Sequence, residues 1–223
     1  MIQLKKCIYC NSTLELTKDH VPPKSFFPDP KPSNLITVDC FKKCNNSFDK
    51  EDEYMLTIIS MRHDVAEHKS GQKLQDKLHR RFRKLNKIPF LKSIANKTNL
   101  ENVITPSGIY LGKAAAYLPE GDRIIRFMKR ITAGIYNHET RRKLPLDNKF
   151  AIFDESNLLK QPEMVKKILF PIYVELANKA KNVIGENVFS YSYQILEDYE
   201  FAILCFISFF DYVQYFCISN PTK

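Results

Sequence analysis

Two cysteine pairs, Cys7 with Cys10 and Cys40 with Cys44, bracket an Asp19-His20 dipeptide, an isolated Asn34 and an asparagine, Asn45, directly after the last cysteine. Four thiolates presented by two short loops suit a tetrahedral zinc ion, with each sulfur about 2.3 Å from the metal. A closed four-sulfur shell leaves the polar side chains between the pairs free for other chemistry. Asp19 and Asn45 offer a carboxylate and an amide oxygen, hard ligands of the kind that hold Mg²⁺ through a few protein contacts. His20, with an ordinary pKa of about 6.5, can take a proton from water near neutral pH. Phosphodiester hydrolysis requires that pair of functions: a base for the attacking water, and a cation for the charge on the phosphorus oxygens and the leaving group.

Taken singly, each of these residues has a plainer reading. The cysteines fit a structural zinc knuckle without catalysis, and Asp-His before proline fits a turn. Asn34 fits a turn residue, and Asn45 or Asn46 fits an N-cap for a helix beginning near Ser47. Their joint order carries more. The segment resembles the HNH endonuclease family in its zinc-stapled form with a ββα-metal core. That pattern runs CxxC, Asp-His at the end of a first strand, an asparagine before a second strand, and a second cysteine pair followed at once by His or Asn. The stretch Cys7-x2-Cys10, Asp19-His20, Asn34 in SNLITV, and Cys40-x3-Cys44-Asn45 follows it over about residues 5–52, with CxxxC in place of the second CxxC.

The resemblance implies a metal-dependent DNA endonuclease with structural Zn²⁺ and catalytic Mg²⁺ or Mn²⁺. His20 would be the general base, Asp19 and Asn45 the ligands of the catalytic cation, and Asn34 an orienting group for its loop and for His20. Asn46 and Asp49 are the alternative ligands should the longer knuckle shift the register. A second class of function fits the same residues: a zinc-stabilised nucleic-acid-binding or interaction module without catalysis.

Elements must position these groups. Consecutive strand residues face opposite ways, so Asp19 and His20 can share a site only near a strand end. Val21-Pro22-Pro23 supplies one, since proline lacks an N–H and restricts its predecessor. From Asp49 the pattern turns helical, with Tyr54, Ile58, Met61 and Val65 as an apolar stripe and an acidic opening that suits a helix N-terminus. Ser70-Gly71 is expected to break that helix. The next carries Leu74, Leu78, Phe82 and Leu85 inward and Lys73, Lys77, Arg80, Arg81, Arg83, Lys84 and Lys87 on its other faces. Its cations, the first six above all, form the candidate nucleic-acid contact. Residues 88–122 read as connecting structure with a short strand at Ile109–Leu111. A helix then places Ile124, Phe127 or Met128, and Ile131 inward, Gly134 at a close contact, and Arg123, Arg126, Lys129 and Arg130 on the basic surface.

Residues 1–149 hold 28 Lys and Arg against 16 Asp and Glu, whereas 150–223 hold 6 against 9. The basic part matches a polyanion partner. The last third reads as a helix kinked before Pro171, followed by an antiparallel meander of three β-rich runs, NVFSYSYQIL, EFAILCFISFF and DYVQYFCISN, linked at Glu197–Tyr199 and around Asp211. Cys205 and Cys217 lie inside those apolar runs as free buried thiols, which fits a reducing cytoplasm. No apolar run approaches the length of a membrane-spanning helix, and MIQLKK lacks the apolar run of a signal peptide. The expected class is α+β: a small ββα-metal domain with a four-cysteine zinc site over 1–52, a mainly helical basic region over 53–149, and an α+β region over 150–223 that is the candidate surface for a homodimer.

Overall fold

The computed structural model describes residues 5–196 and 199–220 and mixes helix with strand throughout. Strands β1 (Leu16–Val21) and β2 (Ile36–Phe41) pair antiparallel, from Leu16 opposite Phe41 to Val21 opposite Ile36. Ile36, Val38 and Cys40 alternate inward along β2, so the ribbon has one buried face. The chain leaves β2 directly into α1 (Lys42–Ser47), and Phe48 alone separates it from α2 (Asp49–Ser60). Asp49, Glu51 and Asp52 occupy the first turn of α2, where carboxylates favour the positive end of the helix dipole.

The helix breaks earlier than Ser70-Gly71. Helix α2 ends at Ser60, Met61 is exposed, and Val65 is buried in a short 3₁₀ turn. Ser70 and Gly71 instead open α3 (Lys69–Phe82), where a Cβ on Gly71 would lie 2.1 Å from the Val65 carbonyl oxygen. Glycine there lets the helix start against the preceding turn. Leu74 and Leu78 are buried as expected, but Leu85 falls beyond the helix and is exposed. Residues 88–117 are more ordered than their prolines and glycines imply: α4 (Ile88–Ala95) is followed by a long hairpin of β3 (Thr98–Ile104) and β4 (Tyr110–Tyr117).

Helix α5 (Gly121–Thr140) lies against the first hairpin. A Cβ on Gly134 would meet Val21 Cγ2 at 2.5 Å, so this glycine sets how closely α5 approaches β1. Then come β5 (Lys149–Asp154), α6 (Glu155–Leu159), α7 (Glu163–Asn178, with Pro171 inside it), β6 (Asn182–Ile184), β7 (Phe189–Ile195), β8 (Ile203–Phe209) and β9 (Val213–Asn220). The last five strands form one antiparallel sheet in the order β5-β9-β8-β7-β6. The expected meander is its β7-β8-β9 centre, with β5 and β6 added at the edges. Of the first expected link, Glu197 and Asp198 lie outside the described residues.

Every residue of β8 is buried, and the two faces of the strand serve two cores. Ile203, Cys205, Ile207 and Phe209 join the main core. Leu204 and Phe206 join Leu158, Tyr173, Leu176 and Phe216 under α6 and α7. The main core draws on every part of the chain: Phe26, just after β1, packs on Phe127 of α5 and Phe209 of β8 at 5.7 and 5.4 Å between ring centroids. No helix among the described residues is long and apolar enough to cross a membrane.

Candidate functional site

The cysteines meet where the hairpin turns into α1. The Sγ atoms of Cys7, Cys10 and Cys44 lie within 4.8 Å of one another. Cys40, at the end of β2, stands beside Cys7 and points its Sγ at the Phe41 carbonyl oxygen, 3.4 Å away. The three-residue gap of CxxxC spans a strand end and a first helical turn, which separates Cys40 from the tighter group. Burial pushes the Cys7 thiol up, but contacts with the backbone of Phe41, Cys10 and Tyr9 outweigh it and lower its pKa; the Tyr9 amide is 3.4 Å from its sulfur. Cys44 is pushed up to about 12 by burial and by its sulfur neighbours, and Cys40 rises further for the same reasons, with Asp19 adding to it. Crowded thiols that resist ionising together are a donor set that a cation would stabilise. Cys7, Cys10 and Cys44 are placed so that they could hold a metal ion between them.

Asp19, His20 and Asn45 line one open cleft of about 590 Å³, together with Asp49, Asp52, Glu53, Lys18, Lys24, Lys50, Arg81 and Lys87. Asp19 is 4% exposed, and its Oδ2 accepts a 2.8 Å hydrogen bond from the Tyr9 hydroxyl. Burial and the Asp19 carboxylate both raise the Tyr9 pKa, which keeps the phenol protonated as a donor. Burial lowers the His20 pKa, Lys24 lowers it further, and Asp19 opposes them, so the imidazole is held toward its neutral form. Asn45 is steered by its nitrogen: Nδ2 donates to Thr17 Oγ1 at 3.2 Å and to the Lys18 carbonyl oxygen at 3.5 Å. Thr17 in turn donates to the Cys40 carbonyl oxygen at 3.0 Å. These bonds tie Asn45 to both strands of the hairpin and leave its amide oxygen without a hydrogen bond among the described residues.

Asn34 has a different partner from the expected one. It sits before β2, outside the cleft, and its Nδ2 donates to the Val183 carbonyl oxygen at 2.9 Å. It therefore fastens the loop to β6 rather than contacting His20. Asn46 is not a cleft residue either, because the next helical position after Asn45 turns away; Asp49, one turn on, is in the cleft.

The largest difference from the sequence expectation is Arg130. Expected on a basic surface, it is 4% exposed and reaches from α5 to Asp52 through both terminal nitrogens, Nη1 at 3.3 Å and Nη2 in a shorter contact. Its guanidinium lies 4.4 Å from the centroid of the Phe48 ring, and that ring meets Tyr9 edge-on at 5.1 Å. Burial disfavours the arginine's charge, but Asp52 and Asp19 more than restore it. Burial pushes Asp52 up to about 6 despite Arg130, helped by the Asp19 and Asp49 carboxylates. Arg130 thus serves Asp52 directly and Asp19 through space, while Asp49 adds to the negative charge around Asp52. For a divalent cation the fit is incomplete in one respect: among the described residues the cleft acids do not close on one another as the cysteines do.

The neighbouring arginines are also committed. Arg126 pairs with Glu51 at 2.9 Å, and Arg123 donates to the Lys50 carbonyl oxygen at 2.7 Å. Arg81 on α3 pairs with Glu53 at 3.0 Å, and Lys87, in the turn beyond that helix, pairs with the same carboxylate at 2.5 Å. Of the six cations expected to contact nucleic acid, only Arg81 borders the cleft; Lys73, Lys77, Arg80, Arg83 and Lys84 lie beyond it. Asp52 and Glu53 were not singled out in the sequence, although they follow Asp49 in the opening turns of the same helix. No family model, curated protein or solved structure matches the chain.

Proposed function

We propose that the protein is a metal-dependent endonuclease of the HNH kind, hydrolysing phosphodiester bonds in nucleic acid, most simply DNA. The observation that carries this reading is the meeting of Asp19, His20 and Asn45 in one open cleft beside a cysteine cluster. In this reading Asp19 and Asn45 hold a catalytic Mg²⁺ or Mn²⁺, with Asp49 as a further ligand and Asp52 close behind. Cys7, Cys10, Cys40 and Cys44 hold a structural Zn²⁺ that fixes the hairpin to α1. The divalent cation, when bound, supplies charge stabilisation to the phosphorane and to the leaving oxygen. His20, kept toward neutral, accepts a proton from the attacking water as the new P–O bond forms and the bond to the leaving oxygen breaks. Lys24 and Lys50 line the cleft and offer positive charge to backbone phosphates. Asn34 acts indirectly, holding the β1–β2 loop against β6.

The test is incubation with supercoiled plasmid in Mg²⁺ or Mn²⁺, with EDTA as the control. Metal-dependent nicking or linearisation is expected, and Asp19→Ala and Asn45→Ala should abolish it in Mg²⁺ with partial recovery in excess Mn²⁺. Binding without cleavage in either metal would transfer the chain to the class of zinc-stabilised binding modules.

A further inference from the structure

The hairpin of β3 and β4 is a free arm. Nearly all of its residues are exposed, in contrast to the sheets elsewhere in the chain. At eight residues, β4 reaches about 26 Å. Its root is fixed: Lys97 pairs with Glu120 at 3.0 Å, and the Tyr117 hydroxyl meets that of Tyr54 at 3.0 Å. Beyond the root, none of the described residues covers it.

The two faces of the arm differ. The register puts Thr98, Leu100, Asn102 and Ile104 on one face with Tyr117, Ala115, Lys113 and Tyr110. The other carries Asn99, Glu101 and Val103 with Ala116, Ala114 and Gly112. The first face runs down into a mixed groove of about 670 Å³ at the root, where Ile58, Met61, Ile124 and Tyr212 stand with the charged Arg62, Asp154 and Glu155. Apolar residues thus recur on this face from the body to the tip, interrupted by the Asn102–Lys113 pair, and Ile109 and Leu111 add to them at the end. A two-stranded ribbon is marginal in water without a covered face.

We infer that this face is a dimer interface, covered by the arm of a second copy of the chain. Two features select that occupant. Leu100, Ile104, Ile109, Tyr110 and Leu111, at 57–71% exposure, together offer on the order of 600 Å², the larger part of the roughly 800 Å² per partner of a standard protein interface. Nucleic acid is disfavoured because Lys113 is the only cation between Thr98 and Tyr117, set against Glu101, and one lysine cannot neutralise a row of phosphates. Two identical ribbons crossing about a two-fold axis put Leu100, Ile104 and Tyr110 of each against the same residues of the other, the self-complementary contact that a closed dimer requires. The inference does not depend on the nuclease reading. It also moves the expected dimer contact from the carboxy-terminal region to residues 98–117.

Sedimentation or light scattering of the full chain at tens of micromolar and high salt should give twice the 26.1 kDa chain mass. Ile104→Ser with Tyr110→Ser should return the mass of one chain with an unchanged circular dichroism spectrum. Ile168→Ser, on the rival exposed face of α7, should leave the dimer intact. Should the double variant misfold, amide exchange in the wild type serves instead: exchange across 98–117 should slow as concentration rises. A monomer at every concentration, or a dimer that survives the double substitution or dissociates with Ile168→Ser, overturns the inference. So does a monomer whose double variant binds duplex DNA more weakly, which would give the arm to nucleic acid.

Discussion

The surroundings of His20 hold its imidazole toward the neutral form. Burial first, and Lys24 second, lower its pKa, so the imidazole stays neutral at pH values where an ordinary histidine would be charged. In the nuclease reading the rate should therefore hold down to a pH below about 6.5 and fall on the acid side of the lowered pKa. Lys24→Glu should move that acid limb to higher pH, measured as kcat/KM against pH on a defined oligonucleotide; a limb that stays put would remove His20 from proton transfer. The same shift has a stability consequence. Between the lowered pKa and about 6.5 the unfolded chain binds more protons at this position, so falling pH costs stability there. The cysteines give a second prediction at this scale. The purified chain should contain about one zinc, and Cys44→Ser should lose it together with the fold of the hairpin. Cysteine spacing and the Asp-His pair were legible in the sequence because they are local patterns. The tethers from Asn45 to Thr17 and from Asn34 to Val183 were not, since strand pairing and a loop contact 149 residues away bring those partners together.

At the scale of elements, the cleft is made by α2 and β1 being clamped from outside by α5. Arg130, Arg126 and Arg123 are spaced along one helix and meet Asp52, Glu51 and the Lys50 carbonyl in turn. Arg130→Met should destabilise the chain by about 3 kcal/mol, because it removes a buried side chain and leaves the half-buried Asp52 without its partner; adding Asp52→Asn should recover much of that loss. Chemical denaturation of the two single variants and the double variant measures the coupling, and strict additivity would mean that the pair does not clamp. Gly134→Ala tests the other contact. Alanine favours an isolated helix by about 1 kcal/mol over glycine, yet here its methyl would collide with Val21. A net loss of about 1–3 kcal/mol is expected from overpacking, and a gain would show that α5 can withdraw from β1. The stripes of α3 and α5 were readable from periodicity, and β8 from a run that is apolar but for Ser208. The burial of Arg130 was not, because a helical pattern of Arg and Lys reads as solvated until the opposing carboxylates are placed. Of the β3/β4 hairpin only the start of β4, at Tyr110 and Leu111, was expected as strand, since an arm with no core beneath it lacks the alternation that marks a half-buried strand.

Across the whole molecule, one core joins the cysteine hairpin to the carboxy-terminal sheet through Phe26, Phe127 and Phe209. Residues 1–52 read as a self-contained unit in the sequence, but Val21, Phe26 and Phe27 share the main core with α5 and the sheet. The cations of α3 other than Arg81 lie outside the cleft, so they can add affinity without touching the chemistry. Reversing Arg80, Arg83 and Lys84 to Glu should weaken DNA binding and flatten its salt dependence while the fold is retained; unchanged affinity at low salt would mark the face as merely solvated. Arg81 is a different case, because its partner Glu53 borders the cleft.

The central claim is that Asp19, His20 and Asn45 form one hydrolytic site, and His20→Ala tests it most directly. Cleavage of supercoiled plasmid by this variant should be compared with the wild type in Mg²⁺ and in excess Mn²⁺, at matched zinc content and matched DNA affinity. Cleavage should vanish in both metals, with zinc and binding unchanged, because only the base for the attacking water is missing. A variant that nicks the plasmid as fast as the wild type would contradict the site.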